Sequence, residues 1–415
     1  MYNQDQMIIR ELAKEVAELV NEDRIVKLKD EWISHNELKE NSRPMILLEP
    51  DSNTWNEIIP PESLKCKEDL YRGYEMSLRK TLVGLKDIKD DDPFTATFGV
   101  PKAITMSGYG DELNVVATRS DSKGGSYHYE KLIDDISEEF YKLQFRTITH
   151  DKKESEKQLS LADETLGDIL KVEHRGEPFW TWGITWEVIK LIGLEDLMFN
   201  MYDDTEGLHR LMAWFTEEHL NIMKQIKEQG LLNPNDKDIH IGSGGIGWTT
   251  ELRNGNFDNN DNLDFMQKWG FSESQETVGI SPEMFAEFIL PYQTPIMEKF
   301  GLVHYGCCEP VENRWKYVSQ MPRLRRISVS PWADIHKMKE FLKRDYIYSR
   351  KVNPSYLCVG NDEQMQRQQI KDVLDFSSDI QLEIIMKDIS TLQNEPQRAF
   401  NWVKMAREEI KKAGW

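Results

Sequence analysis

Hydrophobic residues near the amino terminus recur at the spacing of an amphipathic helix. They lie three or four positions apart with charged residues between them: Ile8, Ile9, Leu12, Val16, Leu19 and Val20. This spacing predicts a helix over residues 4–38. Arg43-Pro44 ends it, because proline disfavours helical backbone in the residue before it.

Short apolar runs then alternate with amphipathic segments along the rest of the chain. The runs predict strands at 45–48, 96–100, 113–118, 170–174, 239–242, 302–305, 326–329, 346–351 and 381–386. Helical periodicity predicts helices near 65–84, 131–144, 185–200, 205–229, 281–300, 311–320, 335–343, 363–377 and 396–413. Repeated strand–helix units imply parallel strands covered by helices. The prediction is an α/β protein, first a (β/α)₈ barrel and second a doubly wound sheet.

Composition narrows the class of protein. The 415 residues contain 52 Lys plus Arg and 72 Asp plus Glu, a net charge of −20 that argues against nucleic-acid binding. Hydrophobic content of 39% is enough for a sizeable core. No apolar run approaches the roughly 20 residues of a membrane span, and the acidic, helical start does not resemble a secretory signal. Four cysteines favour a reducing cytoplasm over a disulfide scaffold.

The segment 301–310 carries the strongest candidate chemistry. His304 lies on a predicted strand, and Cys307 and Cys308 follow the turn residue Gly306. Histidine nitrogen and cysteine thiolate are preferred zinc ligands, and a catalytic zinc needs about three protein ligands. Side-chain alternation favours Cys308 as the partner of His304, although a strand that ends at Gly306 leaves either thiol open. The alternative is that both thiols are small core residues.

Four carboxylates follow predicted strands or begin helices. Glu276 is a candidate metal ligand and catalytic group, whereas Glu283 is better explained by the helix dipole in a first turn. Asp334 and Asp388 end strands and are candidate acid–base groups. Their alternative role is helix capping, which is common for Asp in such links.

Two further segments are candidate ligand contacts. Arg175 precedes an aromatic group that includes Trp180 and Trp182, a combination suited either to a small organic ligand or to a rigid surface turn. The glycine-rich segment 242–247 could hold a phosphate through backbone N–H groups. It lacks the Walker lysine and the G-x-G-x-x-G spacing, so a ligand-facing loop is the better interpretation.

Several segments resemble the uroporphyrinogen decarboxylase superfamily. They are residues 281–292 followed by 301–304, residues 202–209, residues 326–330, and Asn353-Pro354. The resemblance covers roughly residues 40–410 and implies one (β/α)₈ barrel at 41–415, with residues 1–40 as an extra helical arm. The superfamily has two branches, which are cofactor-free porphyrinogen decarboxylases and zinc methyltransferases that work with corrinoid proteins or coenzyme M.

The sequence at the start of the predicted barrel argues against membership of the decarboxylase branch. That branch carries an Arg-Gln-Ala-Gly-Arg segment that grips substrate carboxylates. The matching region begins Arg43-Pro44, lacks the arginine pair and contains Glu49 and Asp51. A substrate with many carboxylates would be repelled there, because like charges without cationic partners are costly to bring together.

The chain agrees with the methyltransferase branch at one of its three zinc-ligand positions and differs from it at the other two. His304 corresponds to the histidine of the family's His-x-Cys, but Gly306 stands at the cysteine position. The last strand ends in Lys387-Asp388 with no second cysteine. Some relatives that demethylate methoxylated aromatics use carboxylates with histidine, so Glu276 or Glu283 with His304 is the implied alternative.

The resemblance therefore predicts a zinc-dependent methyltransferase. It would move a methyl group from a small O- or N-methyl substrate to a corrinoid carried by a partner protein. Trp180, Trp182, Trp248 and Tyr305 are the implied substrate contacts, together with Arg175. The alternatives are a metal-free decarboxylase of a smaller substrate and a non-catalytic binding barrel, and a homodimer stays open.

Overall fold

In the part of the chain that the structure describes, eight strands form a parallel framework. The computed structural model describes residues 2–110, 113, 115, 117–119, 127–176, 178–257 and 262–415. The parallel strands are β1 (Met45–Pro50), β2 (Thr97–Val100), β3 (Lys171–His174), β4 (Trp269–Ser272), β5 (Leu302–Tyr305), β6 (Leu324–Val329), β7 (Ile347–Lys351) and β8 (Gln381–Ile389). Two short antiparallel pairs add Ile104–Met106 with Ile148–His150 and Ala117–Arg119 with Tyr127–Tyr129.

Six of the parallel strands make one curled sheet that resembles half of a barrel. Their order is β1-β8-β7-β6-β5-β4, and every neighbouring pair is parallel. Strands β2 and β3 pair with each other. Within the described ranges, no backbone ladder joins this pair to the six-stranded sheet. The predicted α/β class is confirmed, whereas a closed eight-stranded barrel is not shown.

Helices follow most of the strands, as the alternating pattern predicts. The first two are α1 (Gln4–Leu19) and α2 (Asp23–Asn36). The others are Ser52–Ile58, Asp69–Val83, Ile136–Glu139, Lys152–Leu166, Thr185–Ile192, Leu194–Phe199, Thr205–Glu228, Pro282–Phe288, Leu290–Met297, Trp315–Val318, Ile335–Leu342, Ser355–Cys358, Glu363–Leu374 and Gln397–Lys412. Within the described residues, no helix is both long enough and apolar enough to cross a membrane.

Several predicted elements are shorter than their apolar patterns. The helix predicted at 4–38 divides at a turn between α1 and α2, and the one at 185–200 divides at Gly193, where φ is 81°. The helix predicted at 281–300 divides at Ile289, and only residues 136–142 of 131–144 are helical. The strand predicted at 113–118 lies partly outside the described residues.

The strand predicted at 239–242 is wrong. Residues 239–247 instead form a tight loop with one isolated bridge between His240 and Ile246. Gly244 and Gly245 have φ values of 111° and 91°, which a residue with a Cβ adopts only at a cost. A Cβ at Gly245 would lie 2.6 Å from Arg326 Cζ. The glycines therefore let this loop approach the inner side chains of β6.

The amino-terminal helices share a core with the sheet. Ile9, Trp32 and Leu47 belong to one buried apolar cluster that also contains Val100 and Ile385. Trp32 Nε1 donates to the backbone oxygen of Asp91 at 2.6 Å. The arm predicted at residues 1–40 is thus helical, and it is packed against the sheet through a shared hydrophobic cluster.

Candidate active site at the carboxyl ends of the strands

The adjacent thiols lie at the carboxyl end of β5, where chemistry is expected in parallel α/β folds. Gly306, with φ of 92°, turns the chain directly after the strand. The carboxylate of Glu309 then accepts from the backbone N–H groups of Cys307 at 2.8 Å and Ser274 at 2.9 Å. These two bonds tie the thiol loop to the segment that follows β4.

Lys387 completes a group that we call the thiol–lysine cluster: Cys307, Cys308, Lys387 and Ser243. The Sγ atoms of Cys307 and Cys308 are 3.7 Å apart. Lys387 Nζ, at the carboxyl end of β8, lies 3.8 Å from Cys307 Sγ and 3.3 Å from Ser243 Oγ. Nζ is also 3.6 Å from Asp388 Oδ1. The cluster thus joins two strand ends that are far apart in sequence.

The thiols are electrostatically unequal. The contact between the two sulfurs shifts their pKa values in opposite directions, raising that of Cys307 and lowering that of Cys308. Burial opposes the charge of Lys387, but nearby acidic groups outweigh burial and raise its pKa, the thiol of Cys307 first and then Asp388. An ammonium group beside a thiolate favours the thiolate form, which is the reactive form of cysteine.

Three acidic side chains form a second group beside the thiols, which we call the buried carboxyl cluster: Glu273, Glu276 and Glu309. Burial raises the pKa of all three, and the pKa of Glu273 rises furthest because Glu276 and Glu309 add repulsion. Thr185 Oγ1 donates to Glu276 at 2.7 Å. A carboxyl whose pKa is raised keeps its proton to a higher pH than an ordinary carboxyl and can donate it in a reaction.

His240 lies between two carboxylates near the end of β1. Its Nδ1 is 3.2 Å from Glu49 Oε1, and its Nε2 is 3.1 Å from Asp92 Oδ2. Partial burial opposes protonation, but the two carboxylates outweigh it and raise the pKa of His240 well above its usual value. The imidazole is therefore held as a cation between Glu49 and Asp92, and Glu49 is also an acidic neighbour of Lys387.

His304 lies deeper inside the sheet than the thiols. Its Nδ1 is 3.0 Å from the backbone oxygen of Ile241, and its Nε2 is 2.9 Å from Ser328 Oγ. Burial, together with the charges of Lys351 and Arg326, lowers the pKa of His304 well below its usual value. The imidazole is thus neutral, and both of its nitrogens already have hydrogen-bond partners.

The predicted metal ligands do not converge on one point. Among the described residues, no group of three or more His, Cys, Asp or Glu side chains is arranged to hold a metal ion. His304 bonds to Ser328, and Glu276 bonds to Thr185, whereas Cys307 and Cys308 contact each other. Glu283 lies in the first turn of its helix, the position that the helix dipole explains.

The predicted acid–base aspartates differ in their surroundings. Asp334 caps the helix Ile335–Leu342 by accepting from the N–H groups of His336 and Lys337, so it fills the capping role that was its alternative. Asp388 is half exposed beside Lys387 and therefore borders the thiol–lysine cluster.

The predicted substrate contacts are divided between the site and the core. Trp180 is 49% exposed, and its Nε1 donates to the backbone oxygen of Gly242 at 3.0 Å. Arg175 is held by Asp238 and Glu173. The other three are buried: Trp182 packs against Phe265 and Phe300, Trp248 against Lys29 of α2 and Phe257, and Tyr305 bonds to Ser274 Oγ.

Sequence reasoning did not single out Lys387, Glu273, Glu309 or His240 as functional. For Lys387 a signal exists, because Glu383, Ile385 and Lys387 alternate on one face of a predicted strand. That face points inward, so its last member reaches the strand end. No comparable pattern marks Glu273 or Glu309, since both lie in irregular segments after the strands.

Comparison with known proteins assigns no function to this site. No protein-family model matches the chain, and no curated protein matches it in sequence. The resemblance to the uroporphyrinogen decarboxylase superfamily therefore stays a prediction that depends on the residues quoted for it.

Proposed function

We propose that the chain is an enzyme that moves a methyl group from a small O- or N-methyl substrate to a corrinoid on a partner protein. The observation that carries the proposal is the thiol–lysine cluster at the carboxyl ends of β5 and β8. In this proposal the eight parallel strands belong to one (β/α)₈ barrel of the uroporphyrinogen decarboxylase superfamily. The strand ends would then surround a single substrate pocket.

Zinc fits the thiol pair, but no third ligand is arranged beside it among the residues that the structure describes. Zinc–sulfur bonds of about 2.3 Å at a tetrahedral angle separate two sulfurs by about 3.8 Å. The Sγ atoms of Cys307 and Cys308 are 3.7 Å apart, close to that value. His304 is occupied by Ile241 and Ser328, so the predicted ligand set is not assembled in this conformation. Zinc stays a predicted cofactor, and the roles below do not depend on it.

The residues of the site suit the chemistry of methyl transfer. When a methyl group leaves an oxygen or nitrogen atom, that atom gains electron density and needs a proton. The buried carboxyl cluster supplies one, because Glu273 and Glu276 have raised pKa values. Lys387 favours a thiolate at the neighbouring cysteine pair, and Trp180 offers an exposed aromatic face to the methyl donor.

Metal content and methyl transfer test the proposal together. We expect protein reconstituted with zinc to bind about one zinc per chain and to methylate reduced cobalamin from a panel of methoxy and methylamino compounds. Cys308→Ser should lower zinc content and methyl transfer at least tenfold, measured by elemental mass spectrometry and cobalamin absorbance. Cys358→Ser is the matched control, because Cys358 is buried elsewhere in the core. Protein that stays metal-free and inactive after reconstitution would exclude this function.

A second candidate function is decarboxylation of a β-keto acid, and one observation favours it. Lys351 lies inside the sheet on β7, and its ammonium donates to Ser349 Oγ rather than to a carboxylate. Burial lowers the pKa of Lys351 to about 8. A lower pKa makes the neutral amine easier to reach near neutral pH, and the neutral amine is the form that makes an imine with a ketone.

Borohydride trapping tests this second function. If Lys351 forms an imine, acetoacetate followed by sodium borohydride should leave a secondary amine on the peptide that contains Lys351, detected by mass spectrometry. Lys351→Met should abolish the adduct, and Lys237→Met is the control because Lys237 is buried and paired with Glu173. An adduct spread over surface lysines, or none at all, would exclude the imine mechanism.

A further inference from the structure

The two adjacent thiols differ in their access to solvent. Cys307 is 4% exposed, whereas Cys308 is partly exposed. Their Sγ atoms are 3.7 Å apart, and a disulfide needs about 2.05 Å. The pair lies in an irregular loop after Gly306, outside any helix or strand, so torsional changes in the loop can close this gap without unwinding an element.

We propose that Cys308 is a site of oxidation by hydroperoxides and that Cys307 converts the product into a disulfide between neighbouring residues. Solvent can deliver a small peroxide to the partly exposed Cys308, and the buried Cys307 is already in van der Waals contact with it. Reactive cysteines of this kind are accessible and lie beside a second, resolving cysteine.

The reaction balances with a hydroperoxide as the oxidant. The sulfur of Cys308 attacks the terminal peroxide oxygen and the O–O bond breaks, which leaves a sulfenic acid on Cys308. The departing oxygen takes a proton and leaves as water, or as an alcohol from an organic hydroperoxide. The sulfur of Cys307 then attacks the sulfenic sulfur, the S–O bond breaks, and a water molecule leaves with the thiol proton.

The other two cysteines lack this arrangement. Cys66 is buried, and its Sγ lies 3.7 Å from the backbone oxygen of Asp5 rather than from a second sulfur. Cys358 is buried in the main hydrophobic core. All four cysteines are free thiols, so oxidation should be selective for the adjacent pair.

Oxidation would replace the two acidic thiols of the thiol–lysine cluster with a neutral disulfide. Lys387 Nζ, 3.8 Å from Cys307 Sγ, would then lie beside a group that cannot carry negative charge. A reductant would reverse the change, so the disulfide acts as a reversible block at the strand ends. The oxidation needs neither a metal nor a methyl donor, and it therefore stands independently of the proposed methyl transfer.

Peptide mass spectrometry of chelator-treated full-length protein tests the proposal, with hydrogen peroxide as the probe. After brief treatment and alkylation, we expect the peptide with Cys307 and Cys308 to be unalkylated and lighter by two hydrogen atoms. Dithiothreitol should restore alkylation. Cys307→Ser should stop at a sulfenic acid that dimedone traps on Cys308, and Cys308→Ser should react at least tenfold more slowly.

Cys358→Ser is the control and should behave like the unmodified chain. Two results would overturn the proposal. One is full alkylation of both cysteines after peroxide treatment, and the other is direct conversion of Cys308 to sulfinic acid without a disulfide. Because the assay reads mass rather than turnover, failure of methyl transfer leaves its result unchanged.

Discussion

Replacing Arg326 with methionine is expected to lower the free energy of unfolding by about 3–5 kcal/mol. Arg326 is fully buried, and its Nε lies 3.1 Å from Glu383 Oε1. A second guanidinium nitrogen donates to Asn36 Oδ1 at 2.6 Å. Without the arginine, Glu383 would stay buried with His35 and Ser349 as hydrogen-bond partners and Lys351 as a positive neighbour, but it would lose its ion-pair partner, and that loss is costly in the interior.

Equilibrium urea unfolding measures this loss, with Lys14→Met as the control. Lys14 pairs with Glu11 on the exposed face of α1, so its replacement should change stability by no more than about 0.5 kcal/mol. The double variant Arg326→Met, Glu383→Leu should recover part of the loss, because it removes both buried charges. A loss below about 1 kcal/mol for Arg326→Met would show that the buried pair does not stabilise the fold.

Most of the parallel framework could be predicted from apolar runs. The strands predicted at 302–305, 326–329, 346–351 and 381–386 are confirmed as β5 to β8, and no end differs by more than three residues. Each is a short hydrophobic run bounded by turn residues or charges, and burial on both faces of the sheet demands that pattern. Apolar runs do not show whether the sheet closes into the predicted barrel. Closure requires hydrogen bonds between strands such as β1 and β2, and those bonds depend on strand register.

The buried ion network illustrates what sequence alone leaves out. Arg326 on β6 pairs with Glu383 on β8, two strands away. Their contact depends on the register in which Ser349 of the intervening strand β7 lies opposite Glu383. Neither charge stands out in sequence, since a charged residue in an apolar run is equally consistent with a strand end or an exposed edge.

The candidate site shows the same limit. His304 and the thiols were predicted from one contiguous segment, and both lie on or directly after β5 as expected. Lys387 and Glu273 reach the thiols from other strand ends, so their nearness depends on how the strands are ordered in the sheet. The sequence predicted a loop at 242–247 but a strand at 239–242, because two isoleucines around a histidine imitate a strand. The glycines that follow adopt positive φ values, as a loop requires.

The amino-terminal helices are a further case in which sequence predicted the element but not its packing. Asn36, at the end of α2, donates to the backbone oxygens of Ile246 and Trp248, both at 2.8 Å. The same side chain accepts from Arg326. The arm therefore anchors the glycine-rich loop against the interior of the sheet, although its amphipathic pattern alone would suit a detachable helix pair.

Deleting residues 1–40 is accordingly expected to prevent stable folding. The deletion would expose the apolar cluster around Leu47 and Ile385, and it would remove the partners of Arg326 and of the loop carbonyls. Trp32→Ala alone should cost about 3–5 kcal/mol, because it leaves a large cavity in that cluster. The arm contains several such buried residues, so the free energy lost with the whole arm approaches the roughly 5–15 kcal/mol that stabilises a typical domain.

Circular dichroism during heating and size-exclusion chromatography test this expectation on the truncated chain. We expect aggregation or a broad, non-cooperative transition, whereas Trp32→Ala should keep a cooperative transition at a lower temperature. Val26→Ser is the matched control on α2, because Val26 is 58% exposed and its replacement should leave the transition nearly unchanged. A truncated chain that is monomeric, folded and as resistant to heating as the full chain would contradict this expectation. The anchoring of the 239–247 loop by Asn36 would then be unnecessary for the fold.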